Sequence, residues 1–190
     1  ISRSLGTGII FSALVNGQVR PDVIDPVLKE MNNSQHEIVN YINLLFRENP
    51  NKKIVNACTD ITGFGLLGHL SEMLESTNID QLKMNLEPLK VTLDLDNIPV
   101  YKGVKELLNQ GFESSLAPSN QFSLKNINGD KNLRFEFSYN DLDSNDTFYK
   151  TMLKILIDPQ TCGPLVISCP STYSEELILK GPWIKIGFVS

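Results

Sequence analysis

The segment Asn56–Leu74 reads NACTDITGFGLLGHLSEML. In its second half, apolar residues recur at spacings of three and four, which predicts a helix with one apolar face. The residues that carry this pattern are Leu66, Leu67, Leu70, Met73 and Leu74. The preceding run KIVNAC, Lys53–Cys58, predicts a short buried strand. A strand therefore leads through a short loop into a helix.

The loop between these two elements contains two glycines and an acidic residue. Gly63 and Gly65 fall in the first turn of the predicted helix, where each costs about 0.5–1 kcal/mol relative to alanine. Asp60 and Thr62 are both residue types that cap helices, so capping alone explains either of them. Thr62 is the better placed N-cap, which leaves Asp60 without a structural role.

A ligand-binding role explains Asp60 and the glycines together. Exposed N–H groups at a helix N-terminus attract an anion, and glycines let it approach closely. A carboxylate beside that anion would repel it unless a divalent cation lay between them. Because Mg²⁺ takes one or two carboxylates and completes its shell with phosphate oxygens and water, Asp60 is a candidate magnesium ligand.

The rest of the chain alternates irregularly between strand and helix patterns, which predicts a single α+β domain with a mixed β-sheet covered by helices. Residues 112–132 are rich in Ser, Asn, Gly and Pro and predict a long surface loop. In the first half of the chain, the patterns predict a β-rich start and buried strand within Leu5–Val15, and then a long helix through Val27–Phe46 with Pro26 in its first turn. They next predict a strand over residues 81–89 and a helix over Val100–Gly111 with Gly111 as its C-cap. In the second half they predict a strand over Leu133–Tyr139, a helix over Thr147–Asp158, a strand over Leu165–Cys169, a brief polar segment, and a final strand over Trp183–Val189.

Composition narrows the functional classes. Of 190 residues, 41% are hydrophobic and 21% charged, and the net charge is −5, so a soluble globular enzyme or module is expected and nucleic-acid binding has little support. No apolar run approaches the roughly 20 residues of a membrane span, and no signal-peptide pattern opens the chain. We therefore expect a cytoplasmic protein with no membrane or nucleic-acid partner. The start without methionine suggests a piece of a larger protein.

Three cysteines are too few and too scattered for a disulfide framework or a structural zinc site. Cys58 and Cys169 each end an apolar run and are interpreted as small core residues. Cys162 lies in the turn DPQTCGP, Asp158–Pro164, and a structural role is favoured over a nucleophile paired with a histidine. His69 flanks the apolar face of its helix and is expected to pack there, whereas His36 is expected to be solvated.

Two motifs together resemble the selenophosphate synthetase (selenide, water dikinase) family. They are TDITGFGLLGHL, Thr59–Leu70, and DPQTCGPL, Asp158–Leu165, and the resemblance extends over the whole chain through LGTGII, Leu5–Ile10, and IKIGFV, Ile184–Val189. It implies the fold of the C-terminal domain of aminoimidazole ribonucleotide synthetase-like proteins. It also implies formation of selenophosphate, AMP and phosphate from selenide, ATP and water, with magnesium.

The resemblance assigns roles residue by residue. Asp60 matches the family's metal-binding aspartate in this domain, and Thr62, Gly63, Gly65 and Thr161 match positions on the nucleotide side of the cleft. The family's catalytic cysteine or selenocysteine, its lysine and its other aspartates belong to an N-terminal domain. We therefore expect residues 1–190 to be a C-terminal domain with no catalytic residue of its own, inactive alone. It would share Mg²⁺ and ATP with the N-terminal domain of the same polypeptide and form a homodimer at full length.

Departures from the family pattern keep alternatives open. Cys162 and Pro164 replace a serine and a glycine of the second motif, and proline removes an N–H and fixes φ. Arg3-Ser4 replaces a Lys-Pro pair, and the segment before the last strand is short for the long helix expected there. One alternative is a diverged, non-catalytic dimerisation or docking module, possibly within a larger fusion protein. Another is a different ATP-dependent enzyme of the same superfamily, although those enzymes lack the Thr-Gly-Phe-Gly string.

Overall fold

The computed structural model describes residues 1–121, 134–139 and 146–190. Helices and strands alternate irregularly along the chain. The main helices are α1 (Thr7–Val15), α2 (Pro21–Met31), α3 (His36–Glu48), α4 (Gly65–Lys83), α5 (Val104–Asn109), α6 (Asp146–Leu156) and α7 (Ser171–Lys180). A short 3-10 helix spans Leu95–Asn97, and residues 117–121 are also helical. The strands are β1 (Ala57–Asp60), β2 (Lys90–Asp94), β3 (Arg134–Ser138), β4 (Leu165–Ser168) and β5 (Gly187–Val189).

The described strands form two sheets. In the first, β1 pairs antiparallel with β4, which sets Asp60 opposite Leu165. In the second, the order is β3-β2-β5, with β2 parallel to β3 and antiparallel to β5. The predicted α+β class with mixed strand directions is confirmed.

Two clusters of buried apolar side chains hold the helices to the sheets. The larger cluster joins α1, α4 and α6 to the strands through residues such as Ile10, Leu66, Leu93 and Ile155. The smaller one joins α3 and α7 and includes Trp183. Burial of this apolar surface is the main term that stabilises the fold.

The predicted strand within Leu5–Val15 is wrong, because the structure forms helix α1 there. A short, wholly apolar run does not distinguish a buried strand from a buried helix. Gly6 adopts φ 114 and ends the preceding extended segment, and the helix buries Ile9, Ile10 and Ala13. The groups that cap α1 come from the far end of the chain, so no local signal announces the helix.

The single long helix predicted through Val27–Phe46 is also wrong. The structure divides it into α2 and α3, with a break at residues 32–35. Pro21 occupies the first turn of α2, and Pro26 lies inside that helix rather than at its start. In the break, the Ser34 hydroxyl accepts the N–H of His36 at 3.1 Å, a local bond that competes with a continuous helix. His36 is exposed, as predicted.

The strand predicted over residues 81–89 does not form. Helix α4 continues to Lys83, and β2 begins only at Lys90. Asn78 on α4 fixes this connection, because its side chain accepts the N–H of Leu89 at 2.7 Å and donates to the Leu89 carbonyl at 3.0 Å. Asn85 turns the chain with φ 55.

Strand β1 starts later than the predicted Lys53–Cys58 and ends at Asp60. Ile54 is buried, but Cys58 is exposed and Cys169 only half-buried, so the prediction that both are core residues is wrong for Cys58. The side chains of β1 alternate between half-buried and exposed, which places Cys58 on the outer face.

Several predicted elements are confirmed with changed bounds. They are α4, α5 with Gly111 at φ 91 just beyond it, β3, α6, β4 and, at its very end, β5. The brief polar segment near the C-terminus is instead the ten-residue helix α7. Of the predicted surface loop, residues 117–121 are helical, and 122–132 lie outside the described residues.

Candidate functional site

The loop after β1 and the loop before β4, which carry the two sequence motifs, are hydrogen-bonded to each other. The N–H of Ile61 donates to the Pro164 carbonyl at 2.8 Å, and the N–H of Gln160 donates to the Thr62 carbonyl at 2.9 Å. Gly163 makes this approach possible, since a Cβ built on it would lie 2.0 Å from the Ile61 carbonyl oxygen. The loop after β1 and the loop before β4 therefore form one unit, called here the loop pair (residues 60–65 and 158–164).

Asp60 is exposed at the end of β1, at the edge of the loop pair. Within the described ranges its carboxylate takes part in no ion pair or side-chain hydrogen bond. A free, solvent-facing carboxylate fits Mg²⁺, which keeps several waters and needs only one or two protein carboxylates. In the same part of the chain, no three His, Cys, Asp or Glu side chains converge to hold a metal by themselves. Asp60 can thus supply one ligand of a shared ion.

Thr62 does not cap α4, so that prediction is wrong. The N-cap is Phe64, without a side-chain hydrogen bond, and Thr62 faces His69 on the next turn of the helix. The Thr62 N–H donates to His69 Nε2 at 3.1 Å, and the Thr62 hydroxyl lies 3.0 Å from the same nitrogen. His69 itself is buried, as expected from its place beside the apolar face.

These contacts distinguish the two ring nitrogens of His69. Because Nε2 accepts a backbone N–H, it carries no proton, and the ring proton must sit on Nδ1. His69 Nδ1 lies 3.2 Å from Glu72 Oε2, so the Nδ1–H group can donate a hydrogen bond to the Glu72 carboxylate. The His69 ring therefore ties the glycine loop to α4.

The two glycines differ in their surroundings. Gly65 adopts φ 68, and a Cβ on it would lie 2.6–2.8 Å from the backbone of Ile157. Gly63 has ordinary φ, and a Cβ there would meet nothing within 4 Å. Gly65 thus lets α4 approach the end of α6, while Gly63 leaves open space around the loop that follows Asp60. A ligand-binding role for either stays a prediction.

Asn120 belongs to the site, although no sequence pattern marks it. Its side-chain amide donates to the carbonyls of Gly63 and Ile157, each at 2.9 Å, and the residue is buried. The bonds join the glycine loop to the end of α6. Asn120 lies in the Ser- and Pro-rich stretch predicted as surface loop, where neither periodicity nor a motif marks it.

The DPQTCGP loop caps helix α1. Asp158 Oδ2 accepts the N–H groups of Gly8 at 3.0 Å and Ile9 at 3.3 Å, and Gln160 Oε1 accepts those of Gly6 and Thr7. An acidic group at a helix N-terminus also complements the helix dipole. Burial nevertheless raises the pKa of the Asp158 carboxyl to about 7, although the hydrogen bonds oppose that rise. Much of this motif is therefore structural.

Thr161 and Cys162 lie at the outer side of the same loop. The Thr161 N–H donates to the Thr7 hydroxyl at 2.9 Å, while its side chain is exposed. Cys162 is exposed with φ 49, and its carbonyl accepts a hydrogen bond from Arg3 at 3.0 Å. Of the predicted site residues, Asp60, Thr62 and Gly63 thus share one loop, and Thr161 lies on the loop bonded to it.

None of the described helices is long and apolar enough to cross a membrane.

A profile of the family described as AIR synthase related protein, C-terminal domain, matches residues 31–178. Among curated proteins, the chain is 32% identical over 171 residues to a selenide, water dikinase of Treponema denticola, which covers 88% of this chain and 38% of that protein. It is 30% identical over 182 residues to one of Caldanaerobacter subterraneus (93% and 42%), and 27% identical over 178 residues to one of Clostridioides difficile (94% and 42%). The chain spans about two fifths of the length of these relatives.

Proposed function

The chain belongs to the family of AIR synthase related protein C-terminal domains, and we propose that it is the C-terminal part of a selenophosphate synthetase. The proposal is supported by the free, exposed carboxylate of Asp60 on the same loop as the open position of Gly63, in a chain similar to proteins named selenide, water dikinase. The reaction would convert selenide, ATP and water into selenophosphate, AMP and phosphate.

The loop pair would hold the cation and part of the nucleotide. Asp60 would bind Mg²⁺, which neutralises phosphate charge in phosphoryl transfer. Thr62, Gly63, Gly65 and Thr161 would border the nucleotide, with Gly63 giving the closest access because nothing lies within 4 Å of its Cβ position.

The contacts behind the loop would serve positioning. Phosphoryl transfer depends on geometry and charge more than on covalent chemistry, so a rigid loop matters. His69 accepts the N–H of Thr62, and Asn120 donates to the carbonyl of Gly63. These bonds would keep the Asp60 carboxylate in a fixed position relative to the phosphates.

The remaining groups would come from elsewhere in the protein. One exposed aspartate cannot hold Mg²⁺ alone, so the site would be completed by an N-terminal domain of the same polypeptide. We further propose that the full protein is a cytoplasmic homodimer.

The decisive experiment measures selenide-dependent formation of AMP from ATP by the full polypeptide that contains this chain. Turnover is expected for the full polypeptide and none for residues 1–190 alone. AMP formation by the 190-residue chain would refute the assignment of catalysis to the other domain. A folded full polypeptide without turnover would refute the enzyme proposal.

One observation favours a second candidate, a non-catalytic docking or dimerisation module. Asp158 and Gln160, the polar side chains of the second motif, are engaged in capping α1. Asp60 therefore remains the one acidic side chain of the loop pair that is free for a ligand within the described residues. The same assay separates the candidates, since a module would fold and show no turnover.

A further inference from the structure

The outward face of β1 continues past the end of the strand into the loop pair. Along residues 57–60 the side chains alternate between half-buried and exposed, and the next two positions keep that alternation, since Ile61 is buried and Thr62 is exposed. The bond from the Ile61 N–H to the Pro164 carbonyl continues the ladder by one step. Because side chains two residues apart along an extended segment point to the same face, Asp60 and Thr62 share the outer surface.

The hydrogen of the Thr62 hydroxyl is directed at His69. His69 Nε2 accepts the N–H of Thr62 at 3.1 Å, so this nitrogen presents a lone pair. The Thr62 hydroxyl oxygen lies 3.0 Å from the same nitrogen, which is hydrogen-bond distance. Since two lone pairs facing each other at that distance would repel, the hydroxyl donates its hydrogen to Nε2. Both lone pairs of the hydroxyl oxygen are then left for another partner.

The His69 ring is fixed by its own neighbours. His69 is buried, with 8% of its surface exposed. Its Nδ1 lies 3.2 Å from Glu72 Oε2, and its ring centroid lies 5.8 Å from that of Phe64. A buried ring with a hydrogen-bond contact at each nitrogen cannot turn without losing both contacts. The acceptor for the Thr62 hydroxyl therefore stays in place.

The Thr62 hydroxyl oxygen suits a cation better than a phosphate. Within the described residues, no group donates a hydrogen bond to this oxygen. Phosphate oxygens are acceptors themselves, so a phosphate would find no hydrogen at this atom. A hard cation such as Mg²⁺ binds oxygen lone pairs directly, and a threonine hydroxyl serves as such a ligand in P-loop nucleotide-binding proteins. The direction of one hydroxyl hydrogen thus selects the kind of partner.

We propose that the Thr62 hydroxyl oxygen is a second protein ligand of the cation assigned to Asp60. His69 is a positioning residue, because it engages the hydroxyl hydrogen and leaves the oxygen lone pairs to the ion. This ligand pair rests on the proposed function, which supplies the cation, and it moves Thr62 from the nucleotide to the metal. A carboxylate and a hydroxyl from one face provide two of the oxygen ligands that Mg²⁺ prefers.

Binding of Mn²⁺ to the full polypeptide, followed by electron paramagnetic resonance, tests the ligand without measuring activity. Thr62→Val keeps the shape and the N–H to His69 but removes the oxygen, and the Kd for Mn²⁺ is expected to rise at least about fivefold. Thr62→Ser restores a hydroxyl and is expected to bind within about twofold of the wild type. Thr77→Val, at an exposed threonine of α4, is the matched control.

Asp60→Asn separates failure of this ligand from failure of the metal site. Weaker Mn²⁺ binding in Asp60→Asn, together with equal Kd values for Thr62→Val and Thr77→Val, would overturn the role of Thr62 and leave Asp60 as the ligand. Unchanged binding in both Asp60→Asn and Thr62→Val would overturn the metal site as a whole.

Exchange of the ligand atom distinguishes a ligand from a structural residue. Thr62→Cys puts sulfur in place of oxygen, and thiolate ligands favour Zn²⁺ whereas oxygen ligands favour Mn²⁺. The ratio of Zn²⁺ affinity to Mn²⁺ affinity is expected to rise at least about tenfold over the wild type. Thr77→Cys adds an exposed thiol elsewhere, and the exposed Cys58 is present in every variant. An equal ratio in Thr62→Cys and Thr77→Cys would overturn the proposal.

A double-mutant cycle tests the positioning role of His69. His69→Leu removes the acceptor and is expected to raise the Kd for Mn²⁺ at least about threefold, whereas His69→Gln keeps an acceptor oxygen and is expected to stay within about twofold. In the Thr62→Val background, His69→Leu is expected to have no further effect, because the oxygen that it orients is gone. An equal effect in both backgrounds would overturn the positioning role. If His69→Leu does not fold, the Thr62 variants still decide the ligand.

Discussion

The N–H of Gln160 donates a hydrogen bond of 2.9 Å to the carbonyl oxygen of Thr62. Gln160 also caps α1, and Thr62 also binds His69 on α4. Through these two residues, the N-terminal ends of α1 and α4 are fixed relative to each other. Changes in either loop are therefore expected to affect the whole loop pair.

The two glycines of the first loop give a matched pair of substitutions. Gly65→Ala introduces a side chain at φ 68 and places its Cβ 2.6–2.8 Å from the Ile157 backbone. Left-handed strain costs about 1–2 kcal/mol, and forced overpacking about 1–3 kcal/mol. Urea denaturation is expected to show a loss of about 2–5 kcal/mol in the free energy of unfolding.

Gly63→Ala is the control, because its Cβ enters open space at an ordinary φ. Its free energy of unfolding is expected to stay within about 0.5 kcal/mol of the wild type. Equal losses for the two variants would contradict the assignment of the close contact to Gly65 alone.

Asn120→Ala removes the two hydrogen bonds to the carbonyls of Gly63 and Ile157. A buried carbonyl left without a donor, such as that of Ile157, costs about 1–3 kcal/mol, and the half-buried carbonyl of Gly63 costs about 1 kcal/mol, so we expect a loss of about 2–4 kcal/mol in the free energy of unfolding. The exposed Asn43 of α3 provides the control, since Asn43→Ala touches no such network. A loss no larger than that of Asn43→Ala would contradict the role of Asn120 in joining the loop to α6.

The fold class and the identity of the first loop could be predicted from the sequence because they depend on local patterns. The apolar spacing after Gly65 predicts α4, and the alternation in residues 134–138 predicts β3. Helix α1 could not be predicted, because its apolar run fits either element. Its caps, Asp158 and Gln160, lie about 150 residues away along the chain.

Only the exposed residues of the candidate site could be predicted from the sequence. Asp60 and Gly63 stand in a recognisable motif, whereas the contacts behind them depend on tertiary structure. Thr62 is a residue type that often caps helices, but its N–H donates to His69 and its hydroxyl contacts the same ring nitrogen. Asn120 shows the same limit, since its two acceptors are brought together only when α4 packs against α6.

Asp60→Asn tests the proposed metal ligand in the full polypeptide. The amide keeps the shape of the carboxylate and removes its charge, and Asp60 has no ion pair within the described residues to lose. We expect selenide-dependent AMP formation to fall at least about 100-fold, with the melting temperature unchanged, because charge neutralisation in phosphoryl transfer is lost. Asp25→Asn, at an exposed position on α2, is the control. Wild-type turnover in Asp60→Asn would contradict the metal role.

The buried carboxyl of Asp158 is expected to make the free energy of unfolding fall as the pH rises toward neutrality. Burial raises the pKa of its carboxyl from 3.8 to about 7, so the folded chain binds this proton more tightly than the unfolded chain does. The stabilisation is complete below the unfolded pKa of 3.8 and is lost as the pH rises through about 7, at about 1.4 kcal/mol for each unit of difference.

Other carboxylates titrate too, so the comparison is with Asp158→Asn, which stays neutral and keeps an oxygen to accept the N–H groups of Gly8 and Ile9. The difference in free energy of unfolding, variant minus wild type, is expected to rise between about pH 4 and pH 7 and to level off above that range. Urea denaturation at several pH values measures it. A difference that is constant with pH would mean that Asp158 has the same pKa in the folded and unfolded chains. That result would contradict the prediction that burial raises the pKa of Asp158.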